Sequence, residues 1–147
     1  MRQLVYAMRF TGRATPTGPD GTVLTVTATA HRALPTTAGY DDLAKTLAQS
    51  PTGEVVLESE LTITGETSFQ EVGTIAFGAG VHLRFAAVGS GYLGASPDPA
   101  RRHGAVAWRV VGGEGQFAGA SGLITSNFFV DKDLGVIGHH LGVLFVP

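Results

Sequence analysis

The sequence predicts an all-β fold: an antiparallel closed barrel of about eight strands, with at most one short helix. Three observations carry that expectation. Apolar and polar residues alternate over one segment after another, helical periodicity is nearly missing, and 21 glycines and 7 prolines punctuate the segments. A two-sheet sandwich is the alternative architecture for such a pattern.

The first segment, Arg2–Thr11, alternates as a strand and is closed by Gly12 and the breaker run Thr15–Gly21. Thr22–Arg32, rich in β-branched residues, is the second strand. The one helical candidate follows at about Asp41–Gln49, where Asp41 or Asp42 caps an apolar stripe of Leu43, Ala44 and Leu47. From Glu54 the alternation sharpens. Val55, Leu57, Ser59, Leu61 and Ile63 fall on one face, with Glu58 and Glu60 on the opposite, solvated one. Ser68–Phe77 is the next strand, and Gly78-Ala79-Gly80 turns it into Val81–Val88. Gly89–Arg102, with Pro97 and Pro99, reads as a long loop carrying the one basic cluster, Arg101-Arg102-His103. Ala105–Val111, Leu123–Val130 and Val136–Val146 complete eight strands. Short connections make the order a meander, and closure removes its edges.

The 147 residues fit a single domain, 1–147, large enough to bury a core without staples. With no Cys there are no disulfides, no thiol chemistry and no Cys-based metal site. A formal net charge of −2 argues against a nucleic-acid partner, and the absence of a long apolar run argues against a membrane span. The N-terminal segment lacks the apolar core of a signal peptide, so a cytoplasmic location is expected.

The most distinctive stretch is Gly112–Gly122. Gly113, Gly115 and Ala118 satisfy a loose dinucleotide-binding pattern, but the strand-like LITSNFFV follows where a phosphate-binding helix N-terminus is required. Glycines that allow bulges and close packing at a barrel corner explain the stretch better. Ser121 likewise lacks the strand–turn–helix context of a serine nucleophile. The block GxGxFxGAxG, Gly113 to Gly122, resembles the corresponding region of allene oxide cyclases, dirigent proteins and related small bacterial barrels. That resemblance implies an eight-stranded barrel with an apolar cavity, often a homodimer or homotrimer. It also implies ligands such as fatty-acid epoxides, phenoxy radicals or polyketide-like intermediates, steered to one product without a cofactor. It supplies no catalytic residue outside the glycine block.

Candidate site residues come from strand parity. Glu71 shares a face with Phe69, Ile75 and Phe77, so it points inward if they do. A buried carboxyl there has a raised pKa suited to general acid–base work, or else pairs with an inward Arg or His. His139 shares the parity of Ile137, Leu141, Val143 and Phe145 and is the expected inward member of His139-His140. Adjacent strand residues point to opposite faces, so the pair does not hold one metal ion. Phe69, Trp108, Ser126 and Phe128 are expected to line a ligand pocket, with Tyr92 capping its mouth. The function expected is a cofactor-free cyclase or isomerase acting on an apolar small molecule, with Glu71 and His139 as catalytic residues. A non-catalytic binding barrel and an oligomeric structural module are the alternatives.

Overall fold

A computed structural model describes residues 1–30, 54–78 and 80–147. Among them are nine strands: β1 (Arg2–Thr17), β2 (Val23–Ala30), β3 (Val55–Ile63), β4 (Ser68–Gly78), β5 (Val81–Ala87), β6 (Gly91–Ala95), β7 (Arg101–Glu114), β8 (Ser121–Asp131) and β9 (Gly135–Val146). Every pairing is antiparallel, and β1 closes the sheet by pairing with both β2 and β9. The barrel has eight staves rather than nine. β5 lies against the later part of β4 and of β7, while β6 lies against their first residues. The two short strands therefore share one position in the wall.

Three boundaries differ from the sequence expectation. β6 and the start of β7 fall in the stretch Gly89–Arg102 that reads as a loop, so Arg101-Arg102-His103 are strand residues. β6 is only five residues, too short for alternation to announce it, and becomes a strand because β4 and β7 both offer unpaired backbone there. β1 does not stop at Gly12. It runs on to Thr17, and a side chain at Gly12 would collide with the backbone of Thr27 and Ala28, so this glycine lets β2 approach. Pro16 is tolerated because β1 has left β9 after Arg13 and is paired on one side only. The helix expected at Asp41–Gln49 lies outside the described residues, as do the last two residues of the expected second strand.

The Gly112–Gly122 stretch behaves as a corner. The β5–β7 register shifts between Arg84, opposite Gly112, and Phe85, opposite Val110, with Gly112 at a φ of 151°. A single 3-10 turn, Gly115–Phe117, then drops Phe117 into the core, and β8 follows.

Alternation places one face of every stave inside. From β1 come Leu4, Tyr6, Met8 and Phe10, and from β4 Phe69, Glu71, Ile75 and Phe77. At one end of the barrel the aromatic side chains among them, joined by Phe117, pack against one another across the interior. Tyr6 meets Phe77 edge-on at 6.1 Å, and Phe77 meets Phe117 at 4.9 Å. The other end is not filled.

Candidate functional site

The unfilled half contains a cavity of about 250 Å³, slightly below the usual range for ligand pockets. Its wall is largely aliphatic, with Leu24, Val26, Leu57 and Leu61 on one side and Phe128 and Val130 on the other. Toward the rim the lining is half-buried, at Ala14, Ile63, Leu134 and Val136. The polar side chains in this apolar wall are Glu71, Trp108, Ser126, His140 and, at the rim, Arg102.

Glu71 is held from both sides. Ser59, on the inward face of β3, donates its hydroxyl to Oε2 at 2.6 Å, and Trp108 on β7 donates its indole N–H to Oε1 at 3.0 Å. Burial pushes the Glu71 carboxyl up to about 7, and the Ser59 and Trp108 hydrogen bonds pull against that rise. The group therefore exchanges a proton close to neutrality. Trp108 itself is wedged between Phe85, at 4.3 Å, and the edge of His140, at 4.9 Å. Glu71, Trp108 and His140 together form the polar part of the cavity floor, above the filled half.

The inward histidine is His140, and His139 is exposed, the reverse of the sequence expectation. The β1–β9 register explains the reversal. Directly paired residues point to the same face, so inward Tyr6, Met8 and Phe10 bring Gly142, His140 and Gly138 inward with them. Tyr6 needs Gly142 opposite, because its ring occupies the space a β-carbon there would take. The apolar residues Ile137, Leu141, Val143 and Phe145 consequently face outward with His139. His140 stacks on Phe10 at 4.3 Å. Burial, followed by the charge of neighbouring His139, pushes the imidazole down to about 3 and keeps it neutral.

Of the remaining expected pocket residues, Trp108, Ser126 and Phe128 line the cavity. Phe69 does not: it is fully buried behind Phe128, its ring 5.8 Å away edge-on and pressed onto Gly91. Tyr92 caps nothing, because it faces outward, about half exposed, with its hydroxyl over Gly94. Its neighbour Leu93 faces the cavity instead. Glu58 and Glu60 are exposed, as the alternation of β3 predicts.

Two polar residues of the site are not among those expected from the sequence: Ser59, which backs Glu71 without lining the cavity, and Arg102 at the rim. Ser59 sits in plain view on the inward face of β3, yet only the Glu71 register, with Ser59 opposite Gly73 and Leu61 opposite Glu71, shows it to be a carboxylate partner. Arg102 belongs to the inward parity of Trp108, six residues away, or roughly 20 Å along the strand. It is a rim residue whose Nη2 donates to the Leu93 carbonyl at 3.3 Å, and no carboxylate pairs with it among the described residues. Among those residues no three His, Asp or Glu side chains cluster as a metal-ligand set, and no helix is long and apolar enough to cross a membrane.

No family model matches the chain, and no curated protein matches it. Among solved structures, the pterocarpan synthase dirigent protein GePTS1 is similar to it with a TM-score of 0.48 and 15% identity, over 98% of this chain and 86% of that one. The assignment of a closed eight-stave barrel rests on the strand pairings themselves.

Proposed function

We propose that this barrel is a cofactor-free cyclase or isomerase for an apolar small molecule, with Glu71 moving the proton. The observation that supports this reading is a titratable carboxyl, buried in the floor of an apolar cavity and exchanging its proton near neutrality. As a carboxylate, Glu71 removes a proton from a substrate carbon; as the acid, it returns that proton elsewhere on the same skeleton. The Ser59 and Trp108 hydrogen bonds fix the carboxyl in one orientation, so the reaction needs little reorganisation. The apolar walls supply the rest by holding one reactive conformer. His140, held neutral, serves as a hydrogen-bonding group rather than as a charge.

Kemp elimination of 5-nitrobenzisoxazole tests the base directly. A carboxylate removes the ring C–H proton as the N–O bond breaks, giving a coloured cyanophenolate. The expected result is a rate that rises with pH through an inflection near 7 and drops at least about tenfold in Glu71→Gln. Equal rates in the two proteins would remove Glu71 as a usable base.

A second reading, a binding protein without chemistry, is favoured by the same carboxyl having both oxygens already occupied by protein donors. Under either reading we propose a homodimer or homotrimer in the cytoplasm, with no nucleic-acid partner. Support comes from the outer face of β8 and β9, where Leu123, Leu141 and Phe145 are exposed and Leu123 pairs with Val143. Sedimentation as a monomer at micromolar concentration would exclude the assembly.

A further inference from the structure

The inner wall contains several glycines, and most of the gaps they leave are filled. The space a β-carbon would take is occupied by the Tyr6 ring at Gly142, by the Phe128 ring at Gly104 and by the Phe69 ring at Gly91. Gly138 differs. It lines the cavity, and the atoms nearest to a β-carbon there are the edge of the His140 ring, Nε2 at 3.2 Å and Cδ2 at 3.6 Å, and Ser126 Oγ at 3.6 Å. Ser126 and His140 are direct register partners on β8 and β9, and Phe128 is the partner of Gly138. The missing side chain thus opens a small niche floored by two polar groups in an otherwise apolar wall.

Those polar groups have unused capacity. His140 is almost fully buried, and its Nδ1 has no hydrogen-bond partner. Ser126 is buried and makes no side-chain hydrogen bond among the described residues. Buried polar groups without partners are uncommon, because each forgoes the hydrogen bonds it makes with water in the unfolded chain. Nδ1 is enclosed, whereas Nε2 faces the niche, so a proton on Nε2 aims a donor into it. The Ser126 hydroxyl adds a second donor that rotates to suit. A charged group does not fit here: the imidazole is neutral, and Arg102, the one Lys or Arg residue of the cavity lining among the described residues, stands at the rim.

We propose that the Gly138–Ser126–His140 niche is a subsite for a neutral oxygen, a ketone or alcohol, on an otherwise apolar ligand, and that Gly138 sets this specificity by withholding a side chain. The inference rests on the reading of the cavity as a ligand site and adds the functional group the ligand carries. It places that oxygen across Trp108 from Glu71, so a carbonyl held in the niche is polarised by His140 while Glu71 takes a proton from the carbon skeleton beside it.

The test is a pair of probes that differ in the oxygen alone, tetralin and 1-tetralone, with binding read from the fluorescence of Trp108, the single tryptophan and a cavity-wall residue. Gly138 has no left-handed backbone, so an alanine is conformationally acceptable there. The informative quantity is the ratio of the two affinities, which cancels any general loss of cavity volume. Relative to wild type, Ser126→Ala and Gly138→Ala are expected to lower the preference for tetralone by about fivefold, the scale of one hydrogen bond. A ratio unchanged in both variants would overturn the niche while leaving the cavity as a binding site. Failure of wild type to bind either probe would overturn both readings. Should Gly138→Ala fold poorly, Ser126→Ala decides the question alone.

Discussion

The two halves of the barrel interior are built from the same strands but differ in what the strands bring inside. In the filled half, Tyr6, Phe77 and Phe117 interlock, and the glycine opposite Tyr6 is consumed in making room for a ring. In the open half the inward residues are mostly Leu, Val and Ala, too small to meet across the axis, and the space they leave is the cavity. A barrel of eight staves is just wide enough for its own side chains to fill. Whether it becomes a core or a pocket therefore depends on side-chain size at a few inward positions. The acid and the histidine lie on the boundary, where the aromatic floor desolvates them and the cavity gives them something to act on.

Truncation of a large aromatic separates the halves most strongly. Phe77→Ala should destabilise by about 3–5 kcal/mol, because a fully packed ring leaves a void that its neighbours cannot close. Phe128→Ala, with one side of its ring already facing the cavity, should cost roughly 2 kcal/mol, since fewer contacts are lost. Urea unfolding measures both, and equal costs would mean that the cavity is collapsed in solution.

The boundary layer should show in the pH dependence of stability. Glu71 has its folded pKa raised, from 4.5 to about 7, so the unfolded chain ionises first and stability falls as pH rises from 4.5 to 7. The full effect is about 3 kcal/mol and should be absent in Glu71→Gln. His140 has its folded pKa depressed, from 6.5 to about 3. Its contribution is complete above pH 6.5 and is lost as pH falls toward 3. His140→Phe should remove that acid limb. The two slopes oppose each other between pH 4.5 and 6.5, so the single variants, more than wild type, reveal them.

The smallest contrast uses one substitution on one strand. Gly142→Ala drives a methyl into the Tyr6 ring and should cost about 1–3 kcal/mol. Gly138→Ala, four residues away but facing the cavity, should cost under about 1 kcal/mol. Comparable thermal midpoints for the two variants would show that the filled half is loosely packed.

Much of this arrangement is legible in the sequence. The parity of Glu71 with Phe69, Ile75 and Phe77 places the acid inside, and the alternation of β3 sends Glu58 and Glu60 to solvent. Trp108, Ser126 and Phe128 follow from the same period. The inward histidine is not legible, because β9 reverses the usual pattern and carries more apolar bulk outside than inside. Gly138 and Gly142 share the parity of His140, opposite the apolar residues Ile137, Leu141, Val143 and Phe145, and yet form the inner face. Arg102 is hidden for a related reason, lying among prolines and charges that resemble a loop until pairing with β6 and β8 makes it a strand residue.

The sequence by itself determined the fold class, the period of each long strand and the depth of one acid, because those depend on local alternation and on the cost of burying charge. Tertiary structure alone decided which histidine points inward, which short segment completes the eighth stave, and where the interior is left empty. Each of these depends on what stands opposite across a strand pair or across the barrel axis. That information belongs to the register, and a single segment read alone does not contain it.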